Sequence, residues 1–402
     1  MAGRISLVLA VFLSLTLRVA YCTTDVCLTV KSYGYDCHDY KVTTGDGYIL
    51  TLQRVHAPPH GGRHRPDKPG RPVLLQHGVT MDGMAWVMNG AEQSLAFALA
   101  DGGFDVWIAN SRGTRFSRGH NHLTADTDRS YWSWTWVELA NFDLAANVDF
   151  VYNHTGQKVY YVGHSLVAPS LHVKGTLTML VSLSQHKLVD KLKAAALLTP
   201  IAHLNHITTG LLQLGANVYG GELLNLLGVS EFVPRSETVD HLLEKICVVH
   251  SLDCRDLFSA ITGDNCCLNS TAMDLFLKYA PQATSTMTVV HFAQMVRTGN
   301  VTMYDFGNIF ANLKHYGQLR PPVYNLAAIP ADFPLFLSYG GRDALSDVKD
   351  VGLLLDELRD HQEDKLTVQL IEEYAHMDFI MAYNAGTKVN APVLEFLNNN
   401  CQ

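Results

Sequence analysis

Lys158-Val159-Tyr160-Tyr161-Val162-Gly163-His164-Ser165-Leu166 is the stretch on which the reading of this chain turns. A run of β-branched and aromatic residues makes a strand that can be buried on both faces. The glycine then opens a tight turn. In the pattern G-x-S-x-G such a strand-to-helix turn exposes a serine hydroxyl, and the next backbone N–H groups face the oxyanion that forms when the hydroxyl attacks a carbonyl. The last glycine is missing here, because Val167 stands in its place. Val167-Ala168-Pro169-Ser170-Leu171-His172-Val173-Lys174 intervene before Gly175-Thr176-Leu177-Thr178. Without those eight residues the chain reads GHSLGTLT, a complete turn running into a helix.

Serine is a weak nucleophile until a base takes its proton and a third group orients that base. Both partners are expected just beyond later strands, acid first and histidine second. Leu335-Phe336-Leu337-Ser338-Tyr339-Gly340-Gly341-Arg342-Asp343 ends a strand in a glycine turn carrying a carboxylate. Residues 366–373, followed by Tyr374-Ala375-His376-Met377-Asp378-Phe379, end the next strand in a loop carrying an imidazole. Asp347 is the rival acid, and Asp343 is preferred because it follows its strand directly. An earlier strand, Val73-Leu74-Leu75-Gln76, runs into His77-Gly78-Val79. The N–H of Val79 could join that of Leu166 in holding an oxyanion. His77 is expected to support that loop and not to act as a base. The chain order Ser165, Asp343, His376 is that of an α/β-hydrolase.

The 402 residues, 48% hydrophobic and 17% charged, describe a globular protein with a sizeable core. A net charge of −8 offers no basic footprint for nucleic acid. Arg4, an apolar run over 5–17 and small residues around Ala20 and Cys22 read as a cleaved secretory signal. No later run approaches the ~20 apolar residues that crossing a bilayer requires. Eight cysteines suit an oxidising compartment, and loss of Cys22 with the signal leaves an odd number. Cys247 and Cys254 are close enough to close a small loop. The adjacent Cys266 and Cys267 are not expected to bond to each other. No CxxC pair with a second Cys or His cluster supports a structural metal. Asn153, Asn269 and Asn300 open glycosylation sequons.

Residues 47–53 alternate like a half-buried strand. Short apolar runs at 73–76, 104–109, 158–162, 194–198, 335–338 and 366–370 are separated by helix-compatible segments. This rhythm predicts an α/β fold with a mostly parallel central sheet and helices on both faces. It breaks between 203 and 322, where 211–227 and 285–297 read as helical. A stretch that long is not a loop, and its apolar content suggests a cap over something lipophilic. The expected organisation is a signal over 1–22, an α/β-hydrolase core over 23–202, a helical cap and lid over 203–322, and the rest of the core, with acid and histidine, over 323–402. Tyr131-Trp132-Ser133-Trp134-Thr135-Trp136 is expected to be core packing.

Tyr35-Asp36-Cys37, Val42-Thr43-Thr44-Gly45-Asp46-Gly47-Tyr48-Ile49-Leu50, Leu75-Gln76-His77-Gly78, Ala109-Asn110-Ser111-Arg112-Gly113 and Gly163-His164-Ser165-Leu166 resemble the acid lipase family. That family includes gastric and lysosomal lipases and plant triacylglycerol lipases. The similarity continues in Phe232-Val233-Pro234, His315-Tyr316-Gly317-Gln318, Tyr339-Gly340-Gly341-Arg342-Asp343 and His376-Met377-Asp378-Phe379. The resemblance implies an α/β-hydrolase core with cap and lid, and cofactor-free hydrolysis of lipid esters at a lipid–water interface. It implies Ser165, Asp343 and His376 as triad and Val79 and Leu166 as oxyanion donors. The family often has leucine where this chain has Val79, a change that a backbone donor tolerates. The expected destination is the cell exterior or a lysosomal or vacuolar lumen; the oligomeric state stays open.

Residues 167–174 are the departure from that pattern. Val167 puts a branched side chain where the turn needs glycine, and Pro169 removes a backbone donor, although proline is tolerated in a first helical turn. Eight residues are about 2.2 helical turns, so a helix over 176–188 is expected to be rotated and pushed outward. Two functions are compatible with this: an ester hydrolase, or a catalytically impaired relative that binds lipid or a partner. Because removal restores the motif without a trace, the octapeptide is read as a splicing variant or a gene-model error. Sequencing transcripts across codons 166–175 tests this, and consistent recovery of every codon overturns it.

Overall fold

A strand with apolar side chains on both faces has to lie inside a sheet covered from both sides. Five segments of this chain meet that condition: Arg71–Gln76, Phe104–Asn110, Val159–His164, Leu192–Leu198 and Leu335–Gly340 are buried along almost their whole length. The computed structural model describes residues 25–57, 70–78, 80–164, 175–233 and 257–401. The signal 1–22, Val79, Ser165, Leu166, the octapeptide 167–174, Cys247 and Cys254 lie outside the described residues.

In chain order the strands are β1 (Asp36–Thr43), β2 (Tyr48–His56), β3 (Arg71–Gln76), β4 (Phe104–Asn110), β5 (Val159–His164), β6 (Leu192–Leu198), β7 (Leu335–Gly340) and β8 (Leu366–Ile371). They lie side by side as β1-β2-β4-β3-β5-β6-β7-β8, with the short strand Gly119–His120 paired to β2. β1–β2 and β2–β4 are antiparallel, and every later pairing along the path is parallel. The expected mostly parallel sheet is therefore the one the chain forms. β1 was not anticipated. Only Cys37 and Val42 of its side chains are buried, as befits an edge strand, and Cys37 is disulfide-bonded to Cys27.

Alternate residues of one strand serve opposite faces. Leu74, Tyr161, Leu335 and Leu337 enter one core cluster, while Val73, Leu75, Tyr160, Val162 and Phe336 enter the other. The first cluster holds Trp132, Trp134 and Trp136, all buried, in the packing role expected of them.

Between β6 and β7 the described residues form helices α2 (Gly210–Asn217), α3 (Gly220–Leu226), α4 (Leu257–Thr262), α5 (Ser270–Tyr279), α6 (Thr286–Thr298) and α7 (Ile309–Tyr316), with α1 (Leu177–Ser184) preceding β6. α6 shows how sequence sets such bounds. Ser285 Oγ accepts from Met287 N at 3.1 Å, and Gly299 ends the helix at φ +70°. The single helix expected over 211–227 is two, broken where Tyr219 takes φ +55°. A continuous apolar pattern carries no mark of that left-handed residue.

The second correction concerns Cys266 and Cys267, which do bond to each other. Their N–H groups both donate to Asp378, to Oδ2 at 3.1 Å and Oδ1 at 3.0 Å, so one carboxylate holds the dipeptide in a shape that brings the sulfurs together. Cys401 is free and exposed. Among the sequon residues, Asn153 and Asn300 are exposed. Asn269 is half-buried, with Oδ1 accepting from Thr271 N and Nδ2 donating to Asn89.

α6 also carries a buried histidine. His291 is stacked on Trp136 at 4.8 Å and Nε2 donates to the Thr302 carbonyl at 2.9 Å. Burial pulls its pKa down to about 3, against which the hydrogen bonds to Thr302 and Met303 push weakly. Below its ordinary pKa of about 6.5 the unfolded chain binds a proton that the folded chain refuses. The stability contributed is therefore complete above pH ~6.5 and is lost as pH falls, by about 1.4 kcal/mol per pH unit. In His291→Phe the gap in urea-unfolding free energy from the parent should shift by about 2 kcal/mol in the variant's favour between pH 7 and pH 5. A gap independent of pH would contradict this.

Candidate active site

Because the strands from β4 onward are parallel, the loops that follow them open on one edge of the sheet, where α/β proteins build their sites. β7 leads through Gly341 and Arg342 to Asp343, and β8 leads through Tyr374 and Ala375 to His376. Arg342 N donates to the Tyr374 carbonyl at 3.0 Å, tying the two loops together. The His376 and Asp343 side chains are both completely buried, and Nδ1 of His376 lies 2.8 Å from Oδ2 of Asp343. Asp343 Oδ1 accepts from Leu345 N and Ser346 N, each at 2.8 Å. A carboxylate can only accept, so the imidazole proton sits on Nδ1 and the Nε2 lone pair is available. Among the described residues Nε2 has no hydrogen-bond partner. Asp347, the rival acid, is engaged elsewhere, because it caps α8 (Val348–Glu357) by accepting from Lys349 N at 2.8 Å.

The end of β5 meets the same loop. His164 is buried, its ring 5.4 Å from that of His376, and Nε2 donates to the His376 carbonyl at 3.4 Å. Burial first, and the neighbouring His376 second, push its pKa well below the ordinary imidazole value, so it is neutral. His77 follows β3. Ser111 N donates to its Nε2 at 3.2 Å, which leaves Nδ1–H to donate to the Gly78 carbonyl at 2.5 Å. His77 thus supports the Gly78 loop as expected. The sequence pattern assigns no task to Arg112, whose guanidinium is buried between Asp143 and Asp46 and lies 3.7 Å from the Tyr48 ring centre. It anchors the loop from which Ser111 reaches His77. A buried arginine flanked by two distant aspartates leaves no local pattern to detect. Val79, Ser165 and Leu166 lie outside the described residues.

A family profile described as "Partial alpha/beta-hydrolase lipase region" matches residues 27–90, and one described as "alpha/beta hydrolase fold" matches 71–382. The chain is 46% identical over 368 residues to Triacylglycerol lipase 2 of Arabidopsis thaliana, covering 92% of this chain and 86% of that protein. It is 34% identical over 374 residues to Lysosomal acid lipase/cholesteryl ester hydrolase of Homo sapiens, covering 92% and 89%. The chain belongs to the acid lipase family of α/β-hydrolases. Among solved structures, the fold is shared with a soluble variant of monoglyceride lipase from Saccharomyces cerevisiae at 16% identity, with a TM-score of 0.56 and coverage of 90% and 95%. A thermostable carboxyl esterase from Bacillus coagulans matches at 11% identity, with a TM-score of 0.55 and coverage of 90% and 98%.

In this acid lipase family member Gly175 presses against the sheet. A Cβ added there would collide with the His164 carbonyl and come within 2.8 Å of the Gln76 carbonyl, while one at Gly163 would strike the Gly175 carbonyl. Tyr161 Oη donates to the Gly175 carbonyl at 2.5 Å. The chain thus returns to the end of β5 after the octapeptide, and α1 begins at Leu177. Every residue of α1 is buried, so the expectation that it would be pushed outward is wrong. The approach of Gly175 to two strands sets the start of the helix.

Replacement of Gly175 by Ala should therefore lower stability by about 1–3 kcal/mol, the usual cost of overpacking against atoms that cannot move. Gly352, inside α8, has nothing within 4 Å of an added Cβ. Its replacement by Ala should raise stability by about 0.5–1 kcal/mol. Urea midpoints measure both, and equal effects would refute the close-approach argument.

Proposed function

We propose that the chain is a cofactor-free serine hydrolase of fatty-acid esters, with Ser165, His376 and Asp343 as its triad. The observation that carries this is the buried Asp343–His376 pair beside the end of β5, with Nε2 free to receive a proton, in a chain of the acid lipase family. Ser165 Oγ attacks the ester carbonyl as His376 Nε2 takes its proton. Asp343 holds the imidazole in the required tautomer and stabilises the imidazolium. The N–H groups of Val79 and Leu166 receive the tetrahedral oxyanion. The imidazolium then protonates the departing alcohol, and water, activated the same way, releases the fatty acid from the acyl-enzyme.

The helices over 203–322 form the cap over this site in our reading. Leu223, Leu226 and Leu227 are exposed, an apolar face suited to a lipid surface. Triacylglycerol is the first substrate to try, with sterol esters second, in line with the names of the relatives. The N-terminal leader and the disulfides support passage through the secretory route to the exterior or to a lysosomal or vacuolar lumen. No helix among the described residues is long and apolar enough to cross a membrane.

Three measurements test the reading. A fluorophosphonate probe should label the chain at Ser165, and Ser165→Ala should lose both label and turnover while keeping its urea midpoint. A folded chain that does not label would favour a lipid-binding relative without catalysis. Asp343→Asn should lower kcat by about 10⁴-fold, whereas Asp347→Asn should leave it unchanged; the reverse order would move the acid to Asp347. Deleting 167–174 should raise turnover by ~10²-fold, the scale of a 1 Å realignment of nucleophile and base. No gain would mean that the octapeptide is harmless.

A further inference from the structure

The histidine loop is held by one short segment. Thr262 O accepts from His376 N at 3.1 Å, and Asn265 Oδ1 accepts from Met377 N at 3.0 Å. Asp378 Oδ2 accepts from Ala375 N at 2.8 Å, and the same carboxylate receives both cysteine N–H groups. The amides of residues 375, 376 and 377 are thus all fixed by, or together with, residues 262–267. Tyr383 N donates to the Cys267 carbonyl at 2.9 Å, securing the far end of the loop. Gly263, at φ +93°, is wedged between both loops of the pair. A Cβ there would collide with the Arg342 carbonyl and come within 3.2 Å of the Ala375 side chain, and its backbone bridges to Asp343.

The Cys266–Cys267 bond closes a small ring around one peptide unit, so it restricts the backbone from which two of these N–H groups point. Cys266 is exposed and Cys267 is buried. Neither sulfur has a part in the chemistry proposed above.

We propose that the Cys266–Cys267 disulfide is a redox-sensitive clasp that holds His376 in register with Asp343, and that a dithiol reductant switches the site down by opening it. The inference rests on the reading of His376 as the base. A thiolate of the dithiol attacks the exposed Cys266 sulfur, the Cys266–Cys267 bond breaks, and Cys267 leaves as a thiolate and takes up a proton. The second thiol then attacks the mixed disulfide, closing the reductant's own disulfide and releasing Cys266 as a thiol. Two electrons and two protons pass to the protein. The freed dipeptide no longer presents both N–H groups to Asp378, and the 375–377 backbone loosens. Asp343 and His376 keep their side chains but lose their fixed separation, so kcat falls while KM for a short-chain ester hardly moves.

The test is reduction of the full chain with graded dithiothreitol. Alkylation and peptide mapping identify the opened bonds, kcat and KM are followed on a soluble ester, and hydrogen exchange is followed at the amides of 375–377. Opening of Cys266–Cys267 should lower kcat about tenfold or more, on the scale of a sub-ångström to 1 Å misplacement. Exchange at 375–377 should accelerate, and both changes should reverse on reoxidation. Cys266→Ser/Cys267→Ser should sit permanently in the low state and ignore dithiol, whereas Cys27→Ser/Cys37→Ser should respond as the parent does. Parent-like kcat and exchange after mapped opening of the bond would overturn the clasp. Hydrogen exchange reports on it even in a chain without turnover, whereas failure of the untreated chain to label with fluorophosphonate counts against the hydrolase reading alone.

Discussion

A fully buried imidazole 2.8 Å from a fully buried carboxylate is the contact around which this molecule is organised. Placing either group alone in a dry interior would be costly, because an unpaired buried charge or donor loses its water without replacement. Together, and with two backbone N–H groups on the far carboxylate oxygen, the carboxylate and the imidazole Nδ1–H satisfy each other. The arrangement is possible only because β7 and β8 are parallel neighbours whose loops leave the sheet on the same side. The segment 262–267 lies against both loops, accepting from His376 N and bridging to Asp343.

That organisation explains how the chain accommodates eight additional residues at its most sensitive turn. The sheet is held by two apolar clusters on its opposite faces. What the turn requires is a close backbone approach between the end of β5 and the start of α1, and Gly175 supplies it after the excursion. The fold and the Asp343–His376 pair are accordingly intact.

Much of the core was legible because it is built from runs apolar on both faces. Residues 73–76, 104–109 and 335–338 could be read as central strands without knowledge of their neighbours, and the acid and histidine loops were legible from their place at the ends of two such runs. β1 escaped notice because an edge strand alternates weakly, with two buried side chains among polar ones. The break at Tyr219 escaped because a left-handed tyrosine depends on what surrounds it and not on its own preference. The Cys266–Cys267 bond was misjudged for a similar reason. The geometry of two adjacent cysteines disfavours closure on its own, and the deciding partner, Asp378, lies over a hundred residues away in the chain.

The sequence by itself determined the class of fold and the family, and it picked out the two loops that carry Asp343 and His376, since apolar periodicity and short motifs are properties of neighbouring residues. Only the tertiary structure decided which aspartate faces the histidine, where α1 begins, how Arg112 supports His77, and that one disulfide stands beside the histidine loop. Each of those depends on atoms far apart in the chain being forced within 3 or 4 Å by a common core, and no local pattern records such a meeting.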